Sequence, residues 1–181
     1  MPAGGPQGLA ELIRDVADFP RPGVGFKDIS PLLQSPDGFA AAVDAMVAAS
    51  PDDVDVVLGM EARGFIFGAP VALALGAGFV PVRKPGKLPM PTLTEDYELE
   101  YGSNTLAVHA DAVHPGARVL LVDDVLATGG TLAASAGLVR QLGAELVQAT
   151  VLMELEFLHG RDLLRAAGVH RVEAVLAYGQ P

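Results

Sequence analysis

The chain has 181 residues, with 12 Lys and Arg against 22 Asp and Glu, a formal charge of −10. That sign excludes a nonspecific nucleic-acid binder, and a 50% apolar composition suits one domain, spanning 1–181, with a sizeable core. Cysteine is absent, so a disulfide framework and a zinc–thiolate site are both ruled out, and no apolar run approaches the roughly 20 residues of a membrane span.

Met1 to Pro6 lack the basic start and apolar stretch of a signal peptide, so a cytoplasmic chain with no membrane partner is expected. Residues 19–34 carry three prolines and two glycines and read as an irregular segment over the core. Ser35-Pro36-Asp37 predicts a helix start: a capping hydroxyl, proline in the first turn, then a carboxylate at the positive end of the dipole. Phe39, Val43, Met46 and Val47 continue it at helical spacing. Val54 to Leu58 predicts a buried strand, Gly64 to Leu75 a helix, and Phe79 to Val82 a strand. Residues 83–102 show no periodicity, and so long a connection reads as a lid or a disordered loop. Arg118 to Val122 predicts a strand, Gly130 to Leu142 a helix stopped by Gly143, and Leu146 to Leu152 and Val172 to Leu176 two more strands. The alternation predicts an α/β fold whose mostly parallel, Rossmann-like sheet is flanked by helices.

The most informative stretch runs from Val119 through Asp123 and Asp124 to Ala127-Thr128-Gly129-Gly130-Thr131. A buried strand ends in two acids, and a small-residue turn then opens a helix whose first amides point at an anion. Thr128 to Thr131 would cradle a phosphate, and Asp123 and Asp124 suit partners that donate protons, such as vicinal sugar hydroxyls or water on Mg²⁺. An acid pair is often only a solvated strand end and a Thr-Gly-Gly-Thr run only a turn; joined without a gap they are far more specific. No Walker loop occurs, and neither Gly23-Val24-Gly25 nor Gly76-Ala77-Gly78 completes a dinucleotide fingerprint. His109, His114, His159 and His170 lack ligand spacing, so no residue is assigned to a metal.

This stretch resembles the 5-phosphoribosyl-1-pyrophosphate (PRPP) motif of the type I phosphoribosyltransferases. Phe19-Pro20-x-Pro22-Gly23-Val24-x-Phe26-x-Asp28-Ile29-Ser30, Glu61 to Phe65, Val82 to Pro89 and Tyr97-x-Leu99-Glu100-Tyr101-Gly102 resemble the adenine branch of that family, in order from about residue 9 onward. The resemblance implies transfer of the 5-phosphoribosyl group from PRPP to N9 of adenine, giving AMP and pyrophosphate, with Mg²⁺ as cofactor in a homodimer. It implies that Asp123 and Asp124 hold the ribose hydroxyls and Ala127, Thr128, Gly129, Gly130 and Thr131 the 5-phosphate. Arg63, with Arg83, Lys84 and Lys87 on the closing 83–102 lid, would take pyrophosphate, and a non-proline cis peptide would fall near Glu61-Ala62. Glu100, with Tyr101 beside it, would handle a proton at adenine N7. The 19–34 segment would be a hood in which Phe26 stacks on the base and backbone groups around Val24, Gly25 and Lys27 read its amino edge. Gly25 and Lys27 depart from the bulkier aliphatic residue and arginine usual there. Two other readings stay open: a phosphoribosyltransferase for another base, and a non-catalytic PRPP-sensing regulator, which the acidic charge and the short stretch before the hood disfavour.

Overall fold

The computed structural model describes residues 6–99 and 102–180. A short helix α1 (Pro6–Ala10) precedes two antiparallel three-residue strands, β1 (Arg14–Val16) and β2 (Phe26–Asp28), and α2 (Ser30–Gln34) follows. The stretch read as irregular therefore contains a strand and a helical turn, both too short for periodicity to register. At the start of α2 the Asp28 carboxylate accepts from the Ser30 N–H at 2.9 Å and its hydroxyl at 2.5 Å, and Pro31 occupies the first turn. α3 (Pro36–Ala48) begins where the sequence predicts, with Ser35 Oγ accepting from the Gly38 N–H at 3.1 Å. Its Met46 is fully buried, while Phe39, Val43 and Val47 pack partly buried on the same core.

Then come β3 (Val56–Met60), α4 (Gly64–Leu75), β4 (Gly78–Val82), β5 (Thr92–Leu99), β6 (Gly102–His109), β7 (Arg118–Leu126), α5 (Gly130–Gln141), β8 (Glu145–Leu155), a 3₁₀ turn at Glu156–Leu158, α6 (Gly160–Ala166) and β9 (Val172–Tyr178). Five strands form one parallel sheet in the order β4-β3-β7-β8-β9. Along β7 the side chains alternate between its faces: Val119 and Leu121 join Leu132, Val139 and Leu164 from α5 and α6, whereas Leu120 and Val122 join Leu32, Met46 and Phe67 from α2, α3 and α4. Both faces are covered, which is why the strands read as continuous apolar runs.

Within the aperiodic 83–102 segment, Thr92–Leu99 is an arm of a second, two-stranded antiparallel sheet, β5 paired with β6 from Thr92–His109 to Leu99–Gly102. Its alternation is present but disguised. Leu93, Glu95 and Tyr97 are half-buried while Thr92, Thr94 and Asp96 are exposed, so a carboxylate holds a position where an apolar residue signals a strand. Gln141 Nε2 donates to Glu95 Oε2 at 2.5 Å and to the Thr94 carbonyl at 3.1 Å, fastening the ribbon along α5.

α6 braces the turn between β7 and α5. A Cβ on Gly129 would lie 2.7 Å from the Gly160 carbonyl oxygen, and one on Gly160 would strike the Ala127 carbonyl. Gly129 also has φ of 90°, which glycine tolerates without strain. Next along the helix, Arg161 makes a two-pronged pair with the buried Glu154 at 2.7–2.9 Å and donates to the Val172 carbonyl at 2.8 Å, tying α6 to β8 and β9. Gly160→Ala is expected to cost about 1–3 kcal/mol of stability, measured by urea unfolding; an unchanged midpoint and slope would show that the contact is slack.

Candidate active site

In an open parallel sheet a ligand binds beyond the carboxyl ends of the strands where the strand order reverses. Here that point lies between β3 and β7, since β4 follows β3 on one side and β7 on the other. The turns leaving these two strands enclose a cavity of about 240 Å³ lined by Glu61 to Arg63 and Asp123 to Leu132. Every residue expected to hold the ribose and 5-phosphate lines it. α5 starts at Gly130 with no side chain capping it, so its first amides are left to a ligand.

Asp123 and Asp124 lie in the last four residues of β7, which ends at Leu126, and are 9% and 4% exposed. The Asp124 N–H donates to Asp123 Oδ1 at 2.9 Å, and Arg63 Nε stands 2.7 Å from Asp124 Oδ2. Burial pushes both carboxyls above the ordinary range; the Asp124 charge raises Asp123 further, whereas Arg63 pulls against the shift of Asp124. Gly64 makes the placement possible, because a Cβ there would lie 2.7 Å from Asp123 Oδ1 and 3.1 Å from the Val122 carbonyl.

Three of the four expected pyrophosphate ligands, Arg83, Lys84 and Lys87, gather on one carboxylate, while Arg63 pairs with Asp124. Glu61 accepts from Lys87 Nζ at 2.7 Å, from the Lys84 N–H at 3.0 Å and from Arg83 Nε at 3.3 Å. The Lys87 contact leads in lowering its pKa to about 2, with the Lys84 N–H and Arg83 adding to it against burial. Arg83 is fixed through its backbone, which exchanges bonds of 2.9 and 2.7 Å with Ala107 of β6. The Glu61–Ala62 peptide is cis, where the resemblance places one.

A second cavity of about 240 Å³ adjoins the first and shares Arg63, Asp124, Val125 and Ala127 with it. Val24, Gly25, Phe26 and Lys27, the expected base-binding residues, form its hood side. The Phe26 ring has Arg63 5.1 Å from its centroid and Phe19 edge-on at 5.0 Å. Sequence reasoning missed the opposite wall of Val125, Met153, Leu155 and Leu158. β8 extends three residues beyond the predicted Leu152, through Met153, Glu154 and Leu155, and Leu158, 39% exposed on a 3₁₀ turn, has no periodicity to mark it. Tyr97 was missed as well; its hydroxyl lies 3.5 Å from Thr131 Oγ1, joining the ribbon to the phosphate turn. Glu100 and Tyr101 lie outside the described residues.

The raised Asp123 pKa has a consequence for stability. The folded protein holds this proton to higher pH than the unfolded chain, whose carboxyl titrates near 3.8. Stability from this site is therefore present below about pH 4 and is lost as pH rises through the folded-state value. Asp123→Asn is expected to raise the melting temperature at pH 7, by roughly 2–4 °C per kcal/mol of relieved cost, with the gain shrinking toward pH 4. Calorimetry at both pH values checks this; a lower melting temperature at pH 7 contradicts it.

A model of the phosphoribosyl transferase domain matches residues 32–178. An adenine phosphoribosyltransferase of Cutibacterium acnes is 64% identical over 168 residues, covering 93% of this chain and 95% of that one. The crystal structure of adenine phosphoribosyltransferase from Thermoanaerobacter pseudethanolicus superposes with a TM-score of 0.91 at 45% identity, over 96% of this chain and 99% of the other. The Saccharomyces cerevisiae enzyme, crystallised with an imino-altritol bisphosphate and adenine, gives a TM-score of 0.88 at 41% identity, over 94% and 98% of the two chains. With the acid pair, the phosphate turn and the hood assembled around the switch point, the chain belongs to the adenine phosphoribosyltransferases of the type I phosphoribosyltransferase family.

Proposed function

We infer that the protein joins N9 of adenine to C1 of PRPP, releasing pyrophosphate and forming AMP. The observation that carries this is the continuity of the two cavities. An apolar, aromatic-sided slot opens at Arg63, Asp124, Val125 and Ala127 onto an anion-binding turn, so a flat base and a phosphorylated sugar meet at one edge.

In this reading the free amides of α5 and the hydroxyls of Thr128 and Thr131 hold the 5-phosphate. Asp123 and Asp124 accept from the ribose hydroxyls. Pyrophosphate draws Arg63 from Asp124 and draws Arg83 and Lys87 from Glu61, with Lys84 joining them, so the cations exchange a carboxylate for a more highly charged anion. As the C1–oxygen bond breaks, N9 of the N7–H tautomer bonds to C1, and the N7 proton passes to the Glu100 carboxylate, with Tyr101 beside it. Lid closure excludes water, which competes with adenine for the activated ribose.

Mg²⁺ belongs to the proposal. Among the described residues no group of three or more His, Asp or Glu is placed to hold it, and the acid pair is engaged with Arg63 and a backbone N–H. This donor set fits an ion carried mainly by substrate oxygens and water, with Asp123 and Asp124 toward the ribose. When bound, the ion supplies positive charge to the leaving group. A homodimer is also proposed, and sedimentation would show twice the 18.7 kDa chain mass.

Pyrophosphate release with PRPP against adenine, hypoxanthine, guanine and orotate in parallel tests the substrate. Adenine is expected to be strongly preferred and chelation of divalent metal to stop turnover; preference for another base, or full activity in chelator, contradicts the proposal. Glu100→Gln is expected to lower kcat by about 10²-fold or more with little change in PRPP affinity, and unchanged kcat would remove Glu100 from the chemistry.

A further inference from the structure

We propose that Tyr97 is a positioning residue for the 5-phosphate of PRPP: from the β5–β6 ribbon, its hydroxyl fixes the direction in which the Thr131 hydroxyl donates. The proposal rests on the PRPP reading above and deepens it.

Tyr97 lies on the face of β5 that runs along α5, together with Leu93 and Glu95. Leu93 and the Tyr97 ring pack on the core to which Leu132, Ala136 and Val139 of α5 belong. Glu95 lies over Gly137, where an added Cβ would stand 2.6 Å from its Cδ and Oε1, and Gln141 donates to it at 2.5 Å. With the strand held at Gly137 and Gln141, Tyr97 arrives at the first turn of α5, its hydroxyl oxygen 3.5 Å from Thr131 Oγ1. Asn104, the residue paired with Tyr97 across the ribbon, places Nδ2 3.4 Å from the same oxygen.

Thr131 lines the phosphate cavity and Tyr97 does not, so the phenol acts on an anion there only through Thr131. The chemistry of the three groups sets the direction of the chain. Asn104 Nδ2 only donates, which leaves the phenolic proton for Thr131. When the Thr131 hydroxyl turns its proton to a phosphate oxygen, its lone pairs accept from Tyr97, and the donors align from phenol to threonine to phosphate. Both contacts are longer than the roughly 2.7–3.0 Å of strong hydrogen bonds, and a charged acceptor at the end of the chain polarises and tightens it. The coupling is reciprocal: a filled phosphate site steadies the strand that leads to Glu100. Phenylalanine at 97 would keep the ring on the core and remove the chain.

The test is a double-mutant cycle on the full chain with PRPP and adenine, using wild type, Tyr97→Phe, Thr131→Val and the double variant. Tyr97→Phe is expected to raise the KM for PRPP by about threefold to tenfold, the loss of one hydrogen bond, with kcat and the KM for adenine within roughly twofold. In the Thr131→Val background the same change should alter kcat/KM for PRPP by less than about twofold, because the hydroxyl it acts through is gone. The proposal is overturned if Tyr97→Phe has the wild-type KM for PRPP, or if its penalty persists in full beside Thr131→Val, as a merely structural role would have it. Failure of wild type to use PRPP at all would instead overturn the underlying reading.

Discussion

Two adjacent carboxylates, withdrawn from water near the carboxyl end of the central strand, are the constraint around which the rest of this structure is arranged. Asp123 and Asp124 cannot both ionise there without cost, and each unit of raised pKa is about 1.4 kcal/mol, against a total stability on the order of 5–15 kcal/mol. The fold meets the constraint locally. Arg63 leaves the neighbouring strand end to pair with Asp124, and Gly64 gives up a side chain so that Asp123 has room. Arg63 closes the turn after β3 and Gly64 opens α4, and the strand order places both beside β7. The site is thus a local loss of stability held in place by cores on both faces of the sheet, and a ligand bearing hydroxyl donors relieves it.

The same electrostatic logic governs the cations. A protein with a net charge of −10 binds a polyanion by concentrating its positive groups. Arg83 and Lys87 wait on Glu61, and Arg63 waits on Asp124. With its pKa near 2, Glu61 stays ionised through the physiological range and keeps these side chains close to where pyrophosphate is proposed to lie. An exchange of partners costs less than bringing free, solvated lysines and arginines into the cleft, because their positions are already restricted.

Much of this was legible in the sequence because the central elements obey strong local rules. The helix at Gly64–Leu75, the Ser35 cap and the strand–acid–glycine stretch from Val119 to Thr131 carry signals that burial and dipoles impose directly. Other parts were hidden for physical reasons. β5 alternates inward and outward, but one inward residue is Glu95, satisfied by Gln141, which a hydrophobic pattern cannot anticipate. β2 and α2 are too short to show a period. The base pocket's far wall depends on where a 3₁₀ turn carries Leu158 after β8. The engagement of Arg63, Arg83 and Lys87 with carboxylates is also beyond sequence reach, since it depends on residues brought together only by the fold.

Calorimetric titration of PRPP with Mg²⁺ into wild type and an Asp123→Asn, Asp124→Asn double variant tests most directly whether the buried pair exists for the ribose. Loss of measurable binding in a variant that melts no lower than wild type is the predicted result. Wild-type affinity in that folded variant would contradict the assignment.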